Sequence, residues 1–300
     1  MPTRRPLPLD LSTRPFAVRD ALDAGVTRKR VRAKDLRTLY WGTRLPYAGE
    51  LPLHDRCATL QTRLPTHAFF SHTTAALLIG APLAIEFEQE PLLHLSVPSP
   101  HRALSAAGLR GHKLQLSATD LTALRGIRAT SAARTWCDLS TMLGIHGLVA
   151  VGDYLIHWRM PLVTERGLQA AAHAYPGRRS RAVLLRACEL LNDRSESRPE
   201  SILRVILVLG GLPLPQVNRS IVEANGKVFA RLDLRYAREK VAIEYQGDYH
   251  RTNREQWRKD MSRRARLEAQ GWYVIEINAD DLREPGELVR LIGSVLSARR

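Results

Sequence analysis

"RLDLRYAREKVAIEYQGDYHR", residues 231–251, decides how the C-terminal third of this chain is read. Apolar residues alternate through Leu232, Leu234 and Tyr236, then through Val241, Ile243 and Tyr245, the period of two that marks a half-buried strand. The intervening "ARE" suits a short turn, so the two strands are expected to pair antiparallel. Asp233, Glu244, Gln246 and His250 interrupt the apolar pattern, and polar groups on a sheet framework call for a partner or a use.

Working outward, "PESILRVILVLGG" predicts a helix with Pro199 at its N1 position and Glu200 in its first turn. Strands are predicted over 217–222, 227–235 and 241–245, followed by the basic helix "HRTNREQWRKDMSRRARLEAQGW" and a last strand, "WYVIEI". The order is helix, three strands, helix, strand. A right-handed crossover through the arginine-rich helix lays the last strand parallel within the sheet. Asp233 and Glu244 then lie on neighbouring strands, on one face at one end of the sheet, and the period of two sends Gln246 to that face. Oxygen ligands so gathered suit a hard divalent ion, Mg²⁺ or Mn²⁺, which activates water and neutralises a phosphodiester.

This pattern resembles the PD-(D/E)XK superfamily of nucleases, in its very-short-patch-repair-like branch, where strands of the form "IEYQGDYH" and "GWYVIEI" flank a basic helix. The likeness spans about the last hundred residues and implies a restriction-endonuclease-like domain over 195–300. It further implies that Asp233 and Glu244 hold the metal, that Gln246 stands at the usual lysine position, that Glu200 is the first-helix acid and that His250 lies near the scissile phosphate. Glutamine for lysine is a departure, since an amide offers hydrogen bonds without positive charge.

Simpler roles compete at each of these positions. Asp233 and Glu244 have Arg231, Arg235 and Lys240 near them in sequence as ion-pair partners, and Glu200 alone satisfies a helix N-terminus. Along the basic helix, Arg254, Arg258, Arg263, Arg264 and Arg266 form a stripe placed to bind phosphates, with Asp260 read as a partner of Arg264 four residues on.

At the other end, "STRPFAVRDALDAGVTRKRVRAKDLRTLYWGTRLPYAGE" reads as helix, glycine turn, helix and hairpin. Phe16, Val18, Ala21 and Leu22 have helical spacing, Gly25 ends that helix and Thr27 caps the next. The second helix exposes Arg28, Lys29 and Arg32 towards duplex DNA, with Leu39 to Tyr47 as a wing beside it. The stretch resembles the winged-helix N-terminal region of AbiEi-like antitoxins, which implies a helix-turn-helix module over 1–50 and a possible toxin partner.

Residues 51–192 alternate helices and short strands, a mixed α/β middle domain that also resembles the AbiEi-like proteins. Here Ser71 is expected to cap a buried helix, His72 to serve at the same cap and Trp136 to fill a core, with no chemistry assigned. Helices are expected over 147–157, 165–174 and 179–191, and the polar "NDRSESRPES" from Asn192 marks a domain boundary.

The net charge of +15 in 300 residues points to a nucleic-acid partner. Three scattered cysteines and no export signal or membrane span are expected of a cytoplasmic protein. The chain is thus read as an α/β multidomain, Mg²⁺-dependent endonuclease acting on DNA in defence or repair. The rival is an antitoxin-like transcriptional regulator whose nuclease-fold domain is catalytically inert.

Overall fold

The chain, of α/β multidomain class, divides into two compact units, residues 1–139 and 140–300. The computed structural model describes residues 5–47, 49–222, 226, 228–247 and 254–300, with only the backbone of 254–260.

In the first unit, a small core of Leu11, Phe16, Ala21, Val31 and Leu36 gathers α1 (Leu9–Ser12), β1 (Phe16–Ala17), α2 (Val18–Asp23) and α3 (Arg28–Val31). Phe16 belongs to a strand rather than to the helix expected, because it pairs with Arg44 of β2 (Thr43–Arg44). The expected wing exists only in part: Leu45 bridges Arg37, while Thr43 and Arg44 pair back to β1. Thr27 caps α3 as expected, its hydroxyl accepting from Arg30 N at 3.2 Å, but that helix is a single turn.

The same unit holds a five-stranded sheet of order β5-β4-β3-β7-β6, made of β3 (Phe69–Phe70), β4 (Leu93–Pro98), β5 (Leu109–Leu114), β6 (Leu121–Leu124) and β7 (Ile127–Thr130). Around it stand α4 (Leu53–Gln61), α5 (His72–Leu78), α6 (Ile85–Glu88) and α7 (Ala132–Leu139). Cys57, Leu60, Phe70, Leu93, Leu95 and Ile127 form its core, and Trp136 of α7 is fully buried, as expected of a core tryptophan.

The second unit begins with α8 (Ile145–Leu155), α9 (Glu165–Ala174) and α10 (Arg181–Glu189), the three helices expected. They lie in one unit with the C-terminal sheet although the sequence boundary was read near Asn192. A buried ion pair joins α8 to α11 (Arg198–Leu209): Arg204 donates to Asp153 at 2.7 Å, and both side chains are 1% exposed. Ser201 Oγ and Asn192 N donate to the same carboxylate at 2.7 Å each, so the polar linker is tied down rather than loose.

The expected order then follows: α11, β8 (Gln216–Val222), β9 (Val228–Tyr236), β10 (Val241–Tyr245), α12 (Arg254–Ala269) and β11 (Tyr273–Ile277), with α13 (Pro285–Ala298) closing the chain. The sheet order is β11-β10-β9-β8; β10 runs antiparallel to β9 and parallel to β11, as a crossover through α12 requires. Leu203, Leu207, Leu234, Ile243, Ile275, Leu288 and Ile292 pack together, joining α11 and α13 to the sheet. Ala242, Val274 and the fully buried Leu267 of α12 form a second, smaller cluster.

Candidate active site

The acids of the second unit are brought together where the β9–β10 ladder ends. Its last pair is Ile243 opposite Leu234, and one step further the chains part. There Asp233 Oδ2 accepts the backbone N–H of Tyr245 at 2.9 Å, a side chain standing where a ladder carbonyl would otherwise be. Glu244, one residue before Tyr245 and 6% exposed, shares this corner.

Glu200 reaches the cluster from α11. Ser197 is the cap, its hydroxyl accepting from Glu200 N at 3.3 Å, so Pro199 occupies N2 rather than the N1 position expected. Glu200 answers across the cap: Oε1 accepts from Ser197 Oγ at 2.8 Å and Oε2 from the backbone N–H of Glu196, the residue before the cap, at 3.0 Å. Asn218 of β8, held at φ 49°, donates its amide to Glu200 Oε2 at 2.6 Å and to Arg194 O at 2.9 Å. The capping role and the site role therefore meet in one carboxylate.

Electrostatics tie the three acids into one group. Burial, then the charge of Glu200, and then that of Glu244 push the Asp233 carboxyl up to about 7, against the opposing pull of the Tyr245 N–H and Arg263. Like charges so close favour either a proton or a cation between them.

Among the described residues, Arg263 of α12 is a cation that meets Glu244. Its Nη1 lies 2.5 Å from Glu244 Oε1 and its Nη2 2.8 Å from Oε2, a bidentate fork. Next to it, Arg264 bonds Glu268 at 3.0 Å and Glu276 at 3.1 Å, where Glu276 stands beside Glu244 across the parallel β10–β11 register. Arg266 lies over Phe229, 5.0 Å from the ring centre. Three arginines of the expected phosphate-binding stripe are thus turned towards the sheet and its own acids.

The partners expected for a plain surface reading lie elsewhere. Arg231 bonds Glu196, Arg235 bonds Gln216 at 2.8 Å and Lys240 donates to Gln270 O at 2.9 Å. Gln246 follows directly after β10, and its backbone N–H donates to Ile277 O at 2.7 Å, which pins the amide-bearing residue beside the acidic corner. His250 and the side chains of Arg254, Arg258 and Asp260 lie outside the described residues. In the first unit, Arg28, Lys29 and Arg32 are all exposed on the single-turn α3 and its C-cap, whereas Arg30 is locked onto Asp35 at 3.0 Å.

Sequence reasoning missed two things. Arg263 stood in the stripe with no hint that it aims at Glu244, and His72, His94 and His112, distant in sequence, converge in the first unit.

No family model matches the chain. It is similar to an uncharacterized protein of Mycobacterium tuberculosis, found in strains CDC 1551 / Oshkosh and ATCC 25618 / H37Rv, with 28% identity over 256 residues. That stretch covers 85% of this chain and 91% of the relative, longer than either compact unit, so the likeness extends over both. Among the described residues, no helix is long and apolar enough to cross a membrane.

Proposed function

We propose that the second unit is a divalent-metal-dependent nuclease that hydrolyses phosphodiester bonds, with duplex DNA as its substrate. The observation that carries this reading is the convergence of Glu200, Asp233 and Glu244 at the open end of one strand pair, where burial first, and then the charges of Glu200 and Glu244, push the Asp233 carboxyl up to about 7. Oxygen donors of net negative charge fit Mg²⁺ or Mn²⁺, and such an ion, when bound, supplies an activated water and neutralises phosphate charge. Asp233 and Glu244 are the residues that would hold it. Glu200 holds the α11 end against Asn218 of β8 and adds its charge to the site. Arg263 brings to the corner, from α12, the positive charge that glutamine at position 246 lacks, and Gln246 offers its amide to water or phosphate. On this reading the exposed Arg28, Lys29 and Arg32 contact the DNA backbone, and the protein works in the cytoplasm.

The fork of Arg263 on Glu244 favours a second reading, an inert nuclease-like domain in an antitoxin-like regulator, because the guanidinium already satisfies the carboxylate. A toxin partner belongs to that reading. Calorimetric titration of Mn²⁺ into the full chain separates the two. The nuclease reading expects binding that Glu244→Gln abolishes with the fold intact; absence of binding in the wild type favours the inert domain.

A further inference from the structure

The polar residues on the five-stranded sheet of the first unit are too buried and too ordered to be a surface accident. His94 of β4 has a fully buried side chain, and its Nε2 lies 3.2 Å from Glu90 Oε2. Its other nitrogen, Nδ1, lies 3.1 Å from His112 Nε2 on β5. The parallel register places His112 beside Ser96, two residues from His94, so both imidazoles project from the same face. His72, the first residue of α5, completes the group. Its ring stacks on His112 with centroids 3.8 Å apart, and its backbone is held at φ 50°.

Ser71 stands at the N-cap of α5, but contrary to expectation neither its side chain nor that of His72 caps the helix. The Ser71 hydroxyl instead lies 2.9 Å from His72 Nδ1 and 2.6 Å from Ser96 Oγ. One ligating nitrogen from each of the three histidines falls within 4.8 Å of the other two.

We propose that His72, His94 and His112 bind one Zn²⁺ ion through three imidazoles, with a solvent molecule as the fourth ligand. Imidazole nitrogen is a preferred donor for this metal, and Zn–N bonds of about 2.0–2.1 Å put tetrahedral ligand atoms about 3.3 Å apart. His94 and His112 already present two nitrogens 3.1 Å apart, close to that separation. A modest swing of a ring brings in the third. The outer partners fit as well: Glu90 takes one nitrogen of His94 and Ser71 one of His72, leaving the opposite nitrogen of each ring for a metal. A carboxylate behind a ligating histidine fixes its tautomer and raises its basicity. Burial is the main cause that lowers the pKa of all three, His72 to about 2 and His112 to about 4, so the rings are neutral at pH 7 and keep the lone pairs that a metal needs. The ion would tie α5 to β4 and β5 within the first unit.

The test is titration of Co²⁺, as a visible-absorbing stand-in, and then Zn²⁺ into chelator-treated full-length protein. One equivalent of Co²⁺ should give the absorption of a four-coordinate site, and Zn²⁺ should displace it. His112→Asn, at the least buried of the three, should abolish binding with the circular dichroism unchanged. Glu90→Gln should weaken it about 10- to 100-fold, as loss of an outer-shell partner does. Glu244→Gln should leave it unaltered, which separates this site from the acidic one. A wild type that takes up no Co²⁺, or whose uptake is indifferent to both His112→Asn and Glu90→Gln, overturns the proposal and leaves a hydrogen-bonded polar cluster. Should His112→Asn fail to fold, Glu90→Gln decides alone.

Discussion

Arg263 holds Glu244 by both terminal guanidinium nitrogens, at 2.5 and 2.8 Å, so a cation at the acidic corner comes from the crossover helix rather than from the strand. Removing it separates two effects. Arg263→Ala frees Glu244 for metal, and Mn²⁺ affinity measured by calorimetry should rise several-fold. Cleavage at saturating metal should nevertheless fall on the order of 100-fold, the loss typical of one preorganised charge-stabilising group. If neither quantity moves, Arg263 has no part in the site.

Asp233 gives the protein a pH dependence. Its folded value of about 7 lies above the unfolded carboxyl value near 3.9, so the folded state binds more protons between them. Stability contributed by this group is therefore full below about pH 4 and lost as pH rises through about 7, a loss of up to roughly 4 kcal/mol. Mg²⁺ counters the repulsion, so it should raise the melting temperature more at pH 8 than at pH 5. Asp233→Asn should flatten the decline and remove the Mg²⁺ effect. An equal Mg²⁺ effect at both pH values would contradict the assignment.

The C-terminal fold was legible in the sequence because each element carried its own signal: period-two alternation around Leu234 and Ile243, Pro199 and Glu200 in the first turn of α11, glycine at the end of α12. Asp233 and Glu244 could be paired from register alone. Arg263 could not, because which arginine of a crowded basic helix turns inward depends on the packing of Leu267 against the sheet. The Asp153–Arg204 pair was equally hidden, since its two residues stand 51 apart in sequence on different helices of the unit that begins at residue 140. The three histidines left no local signature. Only the parallel pairing of β4 with β5 and the entry of α5 bring them together.

Asp153 should behave as a buried charge does when its partner is lost. Arg204→Met leaves Asp153 buried with its hydrogen bonds from Ser201 and Asn192 but no counter-charge, and should destabilise the second unit by about 3–5 kcal/mol in urea unfolding. Adding Asp153→Leu should recover most of that loss. A single variant within 1 kcal/mol of the wild type, roughly the scale of a surface pair, would show that the pair is not as dry as its exposure indicates.

Arg28, Lys29 and Arg32 test the DNA contact of the first unit. Replacing all three by alanine in the full chain should weaken duplex binding and reduce the slope of log affinity against log salt, by up to about one unit for each lost phosphate contact. An unchanged slope would place the DNA elsewhere on this basic protein.

The most direct measurement is cleavage of supercoiled plasmid by the full-length protein, with and without Mg²⁺ or Mn²⁺, beside Glu244→Gln and Gln246→Ala. Nicking or linearisation should require the metal, vanish in Glu244→Gln and slow on the order of 100-fold in Gln246→Ala, with DNA affinity nearly intact in both. A wild type that binds the plasmid but leaves it uncut with either metal, or cleavage that survives Glu244→Gln, would contradict the nuclease assignment of the acidic corner.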